Sequence, residues 1–508
     1  MTTYTAINIG PIVSTLGMAR RPRELWAASF LFSHLMRRII ETLPQNKIIS
    51  PALFDADEKN GVGLYPDRVF VKDEIQYETI KPAIDRFASN LNLNADYFNV
   101  MLVSGDYEKD SAAIKDLNQK LDCMELFNRS INANATNCIG ELIRKKYNSK
   151  LFDYAFEKGK FNVPTLAEIA SIELKKVNED NWKNARKYEK EMDETGELIP
   201  EDLRIVEEGS FYQYLKEKFG KDVKSYHKYI CVVQADGDNV GKTVSHQELS
   251  EGKVNEISKA LLQFGKNAKE AIDDFGGLPI YAGGDDLLFI APVVGKDGTS
   301  ILKLLDKLND ESFKPVKEII DPLKLKDDKN KLIEASLSFG VSISYYKYPL
   351  YEALDNARHL LFDVAKKVAN KNAIALELRK HSGGAFAMQF SKNQSDLKKA
   401  FEKMIAASCA EESVVSAVSH KIRSNEGLLK LWIGKDDAPA RNLNFFKKFM
   451  EYNPDKKNPN ESDEYKSATL TLLDELCKTE NDSSKLVQTA YGMLRIAKFI
   501  KGEEVIDE

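Results

Sequence analysis

Apolar positions change rhythm several times along this chain, and each change marks an element. Thr5–Ile9 is a short β-rich run that breaks at Gly10 and Pro11. From about Glu24 to Leu43 the face Leu25, Ala28, Ser29, Phe32, Leu35, Met36 and Ile39 recurs at helical spacing, which predicts an amphipathic helix with Trp26 and the phenylalanines in a core. Strand-like runs return at 47–50, 68–72 and 97–104, with a helical pattern over about 77–91 before the last. The order βαββαβ predicts a ferredoxin-like unit. Amphipathic stretches rich in Lys and Glu follow, at 114–124, 136–147, 165–192 and 211–219, with breaks near 162–164 and 196–200, and they predict a helical region.

A nearly fully apolar run, Tyr229–Gln234, opens a second cycle. It continues with a helix over about 247–275, a hairpin across Leu278–Ile290, a helix near 300–320, a strand at 333–345, a helix near 350–370 and a strand near 373–376. This is a second βαββαβ unit with an extra helix and strand, so the chain repeats a topology. Amphipathic stretches at 395–407 and 464–476, and 430–448 with Trp432 and Phe445, suit subunit or RNA contact and equally a self-contained helical bundle. The expected class is α+β, with boundaries at 1–107, 108–225, 226–390 and 391–508.

At 508 residues and 43% hydrophobic, the chain is long enough for several cores. The net charge of -5 provides no global basic field, so nucleic-acid contact must rest on local patches. Five scattered cysteines without a CxxC pair argue for a reducing compartment and against a thiolate zinc site. Met1–Gly10 lacks a basic segment followed by an apolar one, and no run reaches about 18 apolar residues, so a soluble cytoplasmic protein without membrane contact is expected. Arg20, Arg21 and Arg23 crowd the entrance of the first long helix, where cations oppose the macrodipole. They call for a phosphate, a second nucleotide or RNA, or for surface acids such as Glu24. Gly61–Arg68 reads as a turn with one arginine, and Arg144–Lys146 as a solvated face.

The chemistry concentrates at the second hairpin. Gly283 and Gly284 supply the turn, and Asp285 and Asp286 follow at once. Adjacent carboxylates suit either a polar tip facing water or a divalent cation. In this topology the strand ending at Asp236 neighbours the hairpin, so three carboxylates converge. Two Mg2+ or Mn2+ ions held there would activate a hydroxyl, hold a triphosphate and stabilise leaving pyrophosphate. The loop from Gly237 to Lys242 offers backbone N–H groups for close phosphate approach. Asp238 is a further ligand or, preferentially, a loop-capping residue.

Asp236-Gly-Asp-Asn-Val-Gly-Lys242, Tyr281-Ala-Gly-Gly-Asp-Asp-Leu-Leu288, Ser338-Phe-Gly-Val341 with Tyr345–Leu350, and Ala365-Lys-Lys367 with Lys371-Asn372 together resemble the palm domain of nucleotidyl cyclases and of the polymerase-like large subunit of type III CRISPR effector complexes. Ile9–Ile12, Ala19–Arg21 and Glu24–Ser29 resemble the catalytically silent first palm of that subunit, particularly the Cmr (type III-B) branch, a half that diguanylate cyclases lack. The resemblance implies two palms, the first without catalytic acids, and assembly with guide RNA, target RNA and other Cmr-type subunits, especially the small subunit and the guide-end-binding subunit. It implies a target-activated enzyme that converts ATP to an adenylate second messenger and releases pyrophosphate. Asp236, Asp285 and Asp286 would bind metal, and Gly283 and Gly284 would let the nucleotide lie against the hairpin. Lys366 would contact phosphate, with Lys371 a weaker candidate and Ser338 near the base.

None of the six histidines is followed by Asp, so no HD nuclease is expected, and without paired cysteines the helical insert must hold itself by packing. The acceptor is a second ATP, giving oligoadenylate, or another adenosine compound such as S-adenosylmethionine. A free-standing nucleotide cyclase and a silent scaffold are the competing readings.

Overall fold

The computed structural model describes residues 1–52, 61–126, 156–157, 160–161, 163–189, 210–368, 371–407, 424, 459–479 and 483–502. The stretches at 136–147 (with Arg144–Lys146), 196–200 and 430–448 (with Trp432 and Phe445) lie outside the described residues.

The first unit is an antiparallel sheet in the order β2-β3-β1-β4. Its strands are β1 (Thr2–Gly10), β2 (Ile48–Ser50), β3 (Arg68–Val71) and β4 (Asn99–Tyr107). Helix α1 (Ile12–Gly17) leads to α2 (Pro22–Glu41), whose first-turn Pro22 suits a position that needs no N–H donor. The predicted apolar face of α2, Leu25 through Ile39, is buried with Trp26. Helices α3 (Tyr77–Asn90) and α4 (Asp110–Leu126) complete the unit. Ala113, Ile114, Leu117 and Leu121 of α4, at helical spacing, enter the same core and α4 packs on β1 and β4. The first unit therefore runs to about residue 126, past the expected boundary at 107.

Between the two units lie a two-residue ladder of β5 (Phe156–Glu157) with β6 (Lys160–Phe161), where no strands are expected, and four helices. These are α5 (Leu166–Ala170), α6 (Leu174–Val177), α7 (Glu179–Glu189) and α8 (Ser210–Phe219). Leu174, Trp182, Ala185, Phe211, Tyr212 and Leu215 give them a small core of their own.

The second unit is a six-stranded sheet in the order β12-β11-β10-β7-β9-β8. Its strands are β7 (Tyr229–Asp238), β8 (Leu278–Gly283), β9 (Asp286–Pro292), β10 (Ser336–Tyr345), β11 (Ala373–Arg379) and β12 (Ala385–Ser391). Only β10 and β11 pair in parallel. The helix expected over 247–275 is α10 (Lys253–Phe275), which starts after Gly252 at a φ of 84°, and a short helix not expected from the sequence, α9 (Val240–Val244), precedes it. The helix expected at 300–320 is α11 (Ile301–Lys307) and α12 (Lys314–Ile320), joined by a π turn. The one expected at 350–370 is α13 (Leu350–His359) followed by a π turn and a 3-10 turn at Ala365–Lys367. Gly340 lets β10 press on this helix, since a Cβ there would stand 2.2 Å from Ala357 O. Strand β12, not expected from the sequence, follows a turn at Gly383 and buries Phe386, Met388 and Phe390 in strict alternation.

Three C-terminal helices, α14 (Ser395–Ala406), α15 (Pro459–Thr479) and α16 (Ser483–Lys501), pack together and α16 covers β12. A Cβ at Gly492 would lie 1.9 Å from Ala387 O, so only glycine lets α16 sit this close. Each large apolar side chain that α16 buries, such as Leu494 or Phe499, contributes roughly 1.5–3 kcal/mol. One core runs from Tyr4 to Ile500, so the boundary expected near 390 divides a continuous apolar layer. Among the described residues no helix is long and apolar enough to cross a membrane.

Candidate active site

The register brings the acids together. Asp236, near the end of β7, pairs with Asp286, the first residue of β9, and Gly283 pairs with the same residue across the hairpin. Gly284 turns the chain at a φ of 65°. Gly237 N–H donates to Asp285 O at 3.1 Å, and a Cβ on Gly237 would stand 2.6 Å from that of Asp285. Glycine at 237 thus lets the acidic tip lie against β7. At Gly283 a Cβ would meet the Tyr281 hydroxyl at 2.4 Å. The space beside Gly237 and Gly283 is filled by protein, contrary to the expectation that both open toward a nucleotide. Gly284 has open space, and a Cβ there would meet only Pro66 of the first unit, at 3.9 Å.

Asp238 is fully buried and works as an anchor. Its Oδ2 accepts from Ser336 Oγ at 2.7 Å, Ser338 Oγ at 2.8 Å and Asn372 N–H at 2.9 Å, and its Oδ1 faces Lys366 Nζ at 3.0 Å. It ties β7 to β10 and to the start of β11, rather than capping its own loop. Ser338, expected near a base, is likewise fully buried and its hydroxyl is given to Asp238. Lys366 Nζ stands 2.6 Å from Asp236 Oδ2 and donates to Gly237 O at 2.9 Å. Its ammonium lies among the carboxylates rather than directed at an outer phosphate position. Lys371 sits at a φ of 53° and is held below the ordinary lysine range by burial, then by the charge of Lys366.

The electrostatics are strained. Burial, reinforced by the charge of Asp236, pushes the Asp285 carboxyl up to about 7. Asp286 is exposed at the start of β9, yet desolvation of its carboxyl by the surrounding protein and then the charges of Asp285, Asp236 and Asp67 push it well above the ordinary range. Burial also raises Asp236, with Lys366 opposing. Burial disfavours charge on Lys366, but Asp236 and Asp238 more than compensate and raise it. One ammonium for this many carboxylates leaves an excess of negative charge that a cation would relieve. The donors are all hard oxygens, which fits Mg2+ or Mn2+ and not a soft metal. Among the described residues no three Asp, Glu, His or Cys side chains already stand in ligating geometry, as Lys366 holds Asp236. The chemistry of Asp236, Asp285 and Asp286 fits a divalent ion once Lys366 withdraws.

The first unit closes the other side. Ala282 N–H donates to Gly63 O at 2.8 Å, and a Cβ on Gly63 would crowd Ser33, Ser29 and Tyr281 at 3.1–3.3 Å. Trp26 Nε1–H donates to Gly61 O at 2.7 Å and Tyr65 N–H to Ser33 Oγ at 2.8 Å, so α2 pins this loop against the hairpin. A cavity of about 180 Å³ remains, with Ser29, Asp67, Gln234, Tyr281 and Asp286 in its lining. Asp67 is thus an acid of the first unit beside the site, where none was expected. Its signal was positional: it precedes β3 as Asp285 precedes β9. Arg20, Arg21 and Arg23 do not line this cavity. The Arg20 backbone N–H donates to Glu24 Oε2 at 2.9 Å, which fixes the entrance of α2.

Known proteins carry both halves of this arrangement. A family model described as the second palm domain of Cas10/Cmr2 matches residues 229–375, and one for the N-terminal part of the CRISPR-associated protein Cmr2 matches 4–195. The CRISPR system Cmr subunit Cmr2 of Pyrococcus furiosus is 32% identical over 190 residues. That match spans 33% of this chain and only 20% of the Pyrococcus furiosus protein. A chain in the apo cryo-EM structure of type III-B Cmr-beta superposes with a TM-score of 0.54 at 11% identity, covering 91% of this chain and 78% of that one. One in Cmr-beta bound to cognate target RNA gives 0.53 at 11% identity, over 91% and 80%. One in the Csm1–Csm4 cassette in complex with cA4 gives 0.50 at 12% identity, over 97% and 69%. At these identities the structural matches establish the fold.

Proposed function

The chain belongs to the Cas10/Cmr2 family, and from that premise we propose that it is the large subunit of a type III-B RNA-guided complex. Its second palm is a nucleotidyltransferase, switched on by target RNA, that converts ATP to an adenylate second messenger and releases pyrophosphate. The observation that carries this reading is the convergence of Asp236, Asp285 and Asp286 with their ionisation suppressed by burial and mutual charge. Two divalent ions bound there supply activation of the attacking hydroxyl and neutralisation of the phosphates.

The chain's own residues do the rest. Asp236, Asp285 and Asp286 hold the ions, and Asp238 fixes β7 so that Asp236 keeps its place. Lys366, 2.6 Å from Asp236 Oδ2, would hold its positive charge near the triphosphate. Gly284 gives the nucleotide its open edge, and Lys371 lies at the rim. The product is a cyclic oligoadenylate, or AMP joined to another acceptor such as S-adenosylmethionine. The cA4 complex of a Csm1–Csm4 cassette supports the first of these, and the target-RNA complex of Cmr-beta supports assembly with guide RNA, target RNA and Cmr-type subunits, the small and guide-end-binding subunits among them.

The test is to incubate the protein, alone and assembled with guide RNA, with ATP and Mg2+, with and without target RNA, and identify products by mass spectrometry. Turnover by the assembled form with target RNA is expected. Turnover by the protein alone would favour a free-standing cyclase, and none under any condition would favour a silent scaffold.

A further inference from the structure

A groove of about 510 Å³ runs between α11, the π turn that follows it (Leu308–Ser312) and the start of α14. That volume lies within the roughly 300–1,000 Å³ of small-molecule sites. Lysines 303, 307, 392, 398 and 399 line it together with Asp306, Asp310, Glu311 and Glu402. Most of the acids are already committed. Lys303 meets Glu402 at 2.9 Å and Lys398 meets Asp306 at 2.7 Å across the groove, while Asp310 accepts from Asn309 Nδ2 at 2.6 Å and faces Lys317 at 3.6 Å. Lys307 forms no ion pair with a described residue, and Lys399 reaches only Asp396 of its own helix, at 3.7 Å. Against these two cations stands Glu311 alone. Ser395 opens α14 at the groove, and Gln394 before it gives no side-chain cap, so the partial positive charge of the first-turn N–H groups adds to the excess.

Lys392 stands at the base of the groove with its amine buried. Its Nζ donates to Leu337 O at 2.9 Å and lies 4.6 Å from the centre of the Phe339 ring, and no described carboxylate forms an ion pair with it. Burial and then Lys317 of α12 push it down to about 7, against the pull of Asp310 in the π turn, Asp306 on α11 and Asp238 on β7. A methionine would fill this space without a charge to suppress. An anion beside the amine would restore its proton, because an opposite charge favours the charged form. The same segment touches the catalytic end of the sheet: Lys392 N–H donates to Asn372 O at 2.7 Å, Asn372 N–H donates to Asp238 Oδ2 at 2.9 Å, and Leu337 pairs with Gly237.

We infer that this groove is a second binding site, separate from the acidic tip, for a short phosphate chain such as that of a nucleoside triphosphate or of pyrophosphate. Lys307 and Lys399 hold the chain from the two walls, and Lys392 takes up a proton and meets it from below. The crossing pairs Lys303–Glu402 and Lys398–Asp306 interrupt the basic surface, which suits a short chain over the long track that a polynucleotide backbone needs. None of these residues belongs to the acidic tip, so the groove and the nucleotidyltransferase reading stand or fall separately.

The test is calorimetry on the full chain in EDTA, where no divalent ion links phosphate to the acidic tip, at about pH 8 with sodium triphosphate, pyrophosphate and ATP as probes. Binding with a Kd below about 1 mM is expected, with uptake of at least about half a proton per site, read from the difference between Tris and HEPES buffers. K392M should abolish the uptake. K307A with K399A should weaken binding at least about tenfold and leave the melting temperature within about 2 °C, since both lysines are exposed. Tighter binding of ATP than of triphosphate supports a site for the whole nucleotide, and equal binding supports one for the phosphate chain alone. Failure of all three probes to bind, uptake retained in K392M, or unchanged affinity in the double variant overturns the site. So does tighter binding of an oligouridylate of about ten nucleotides than of triphosphate, which would make the groove an RNA surface.

Discussion

The two palms share a scaffold and differ in how they settle charge at one place. In the first, β1 lies between β3 and β4, as β7 lies between β9 and β10 in the second. Asn8 pairs with Arg68 where Asp236 pairs with Asp286. Asp67 then corresponds to Asp285, and Pro66 to Gly284. Arg68 bonds Asp122 and Glu125 of α4 at 2.7 and 2.9 Å and Asn118 at 2.8 Å, so the first tip satisfies the charge of its arginine internally. The second tip gathers Asp236, Asp285 and Asp286 around Lys366, which Asp238 also engages, and stays short of positive charge. The same hairpin geometry thus yields an arginine neutralised by its own helix in one copy and a cation-demanding site in the other.

This contrast can be broken from either side. The largest stability effect is expected at Asp238, because Asp238→Ala leaves Ser336 Oγ, Ser338 Oγ and Asn372 N–H without their buried acceptor and takes one of two carboxylates from Lys366. A loss of about 3–5 kcal/mol in denaturant unfolding is expected, and a loss below about 1 kcal/mol would remove its anchoring role. Gly63→Val should cost about 1–3 kcal/mol by overpacking the joint against Ser29 and Tyr281. Nucleotide turnover should fall with it, and unchanged turnover would show that the palms need not stay joined. Arg68→Met in the first palm should cost only about 1 kcal/mol or less, since Asp122 and Glu125 are 63% and 43% exposed.

The smallest effect is a titration. Burial pushes Lys392, whose Nζ donates to Leu337 O at 2.9 Å, down to about 7 from an ordinary value of 10.5. Between these values the unfolded chain holds a proton that the folded one lacks, so this residue makes stability rise with pH from about 7 to 10.5 and removes that gain as pH falls. Asp285, pushed up to about 7, is half-protonated at the lower limit and opposes the trend only near it. Lys392→Met should flatten the rise in a melting-temperature series, and an unchanged slope would contradict the assignment. In the first palm His34, pushed down to about 4 by burial and then by Arg38, adds no titration in that range.

Both sheets and the acidic hairpin were legible in the sequence because they depend on local rhythm, on Gly283-Gly284 and on the run into Asp236. The roles of the glycines were not, because what fills the space beside Gly237 and Gly283 is set by Asp285 and Tyr281 in three dimensions. Ser338 carried a familiar motif, but its burial against Asp238 follows from register between β7 and β10. Asp67 was hidden because a proline precedes it where the second copy has glycine, and only strand pairing reveals the correspondence. Strand β12 depended on α16, more than 90 residues later, to cover its buried face.

The central claim is that charge at the second tip, and not the shared scaffold, makes the site. It is tested most directly by product formation from ATP and Mg2+ in the complex assembled with guide and target RNA. Asp285→Ala with Asp286→Ala should lower the rate by about 10³-fold or more while Arg68→Met leaves it within about threefold. Full turnover by the double variant, or equal losses in both proteins, would contradict the account.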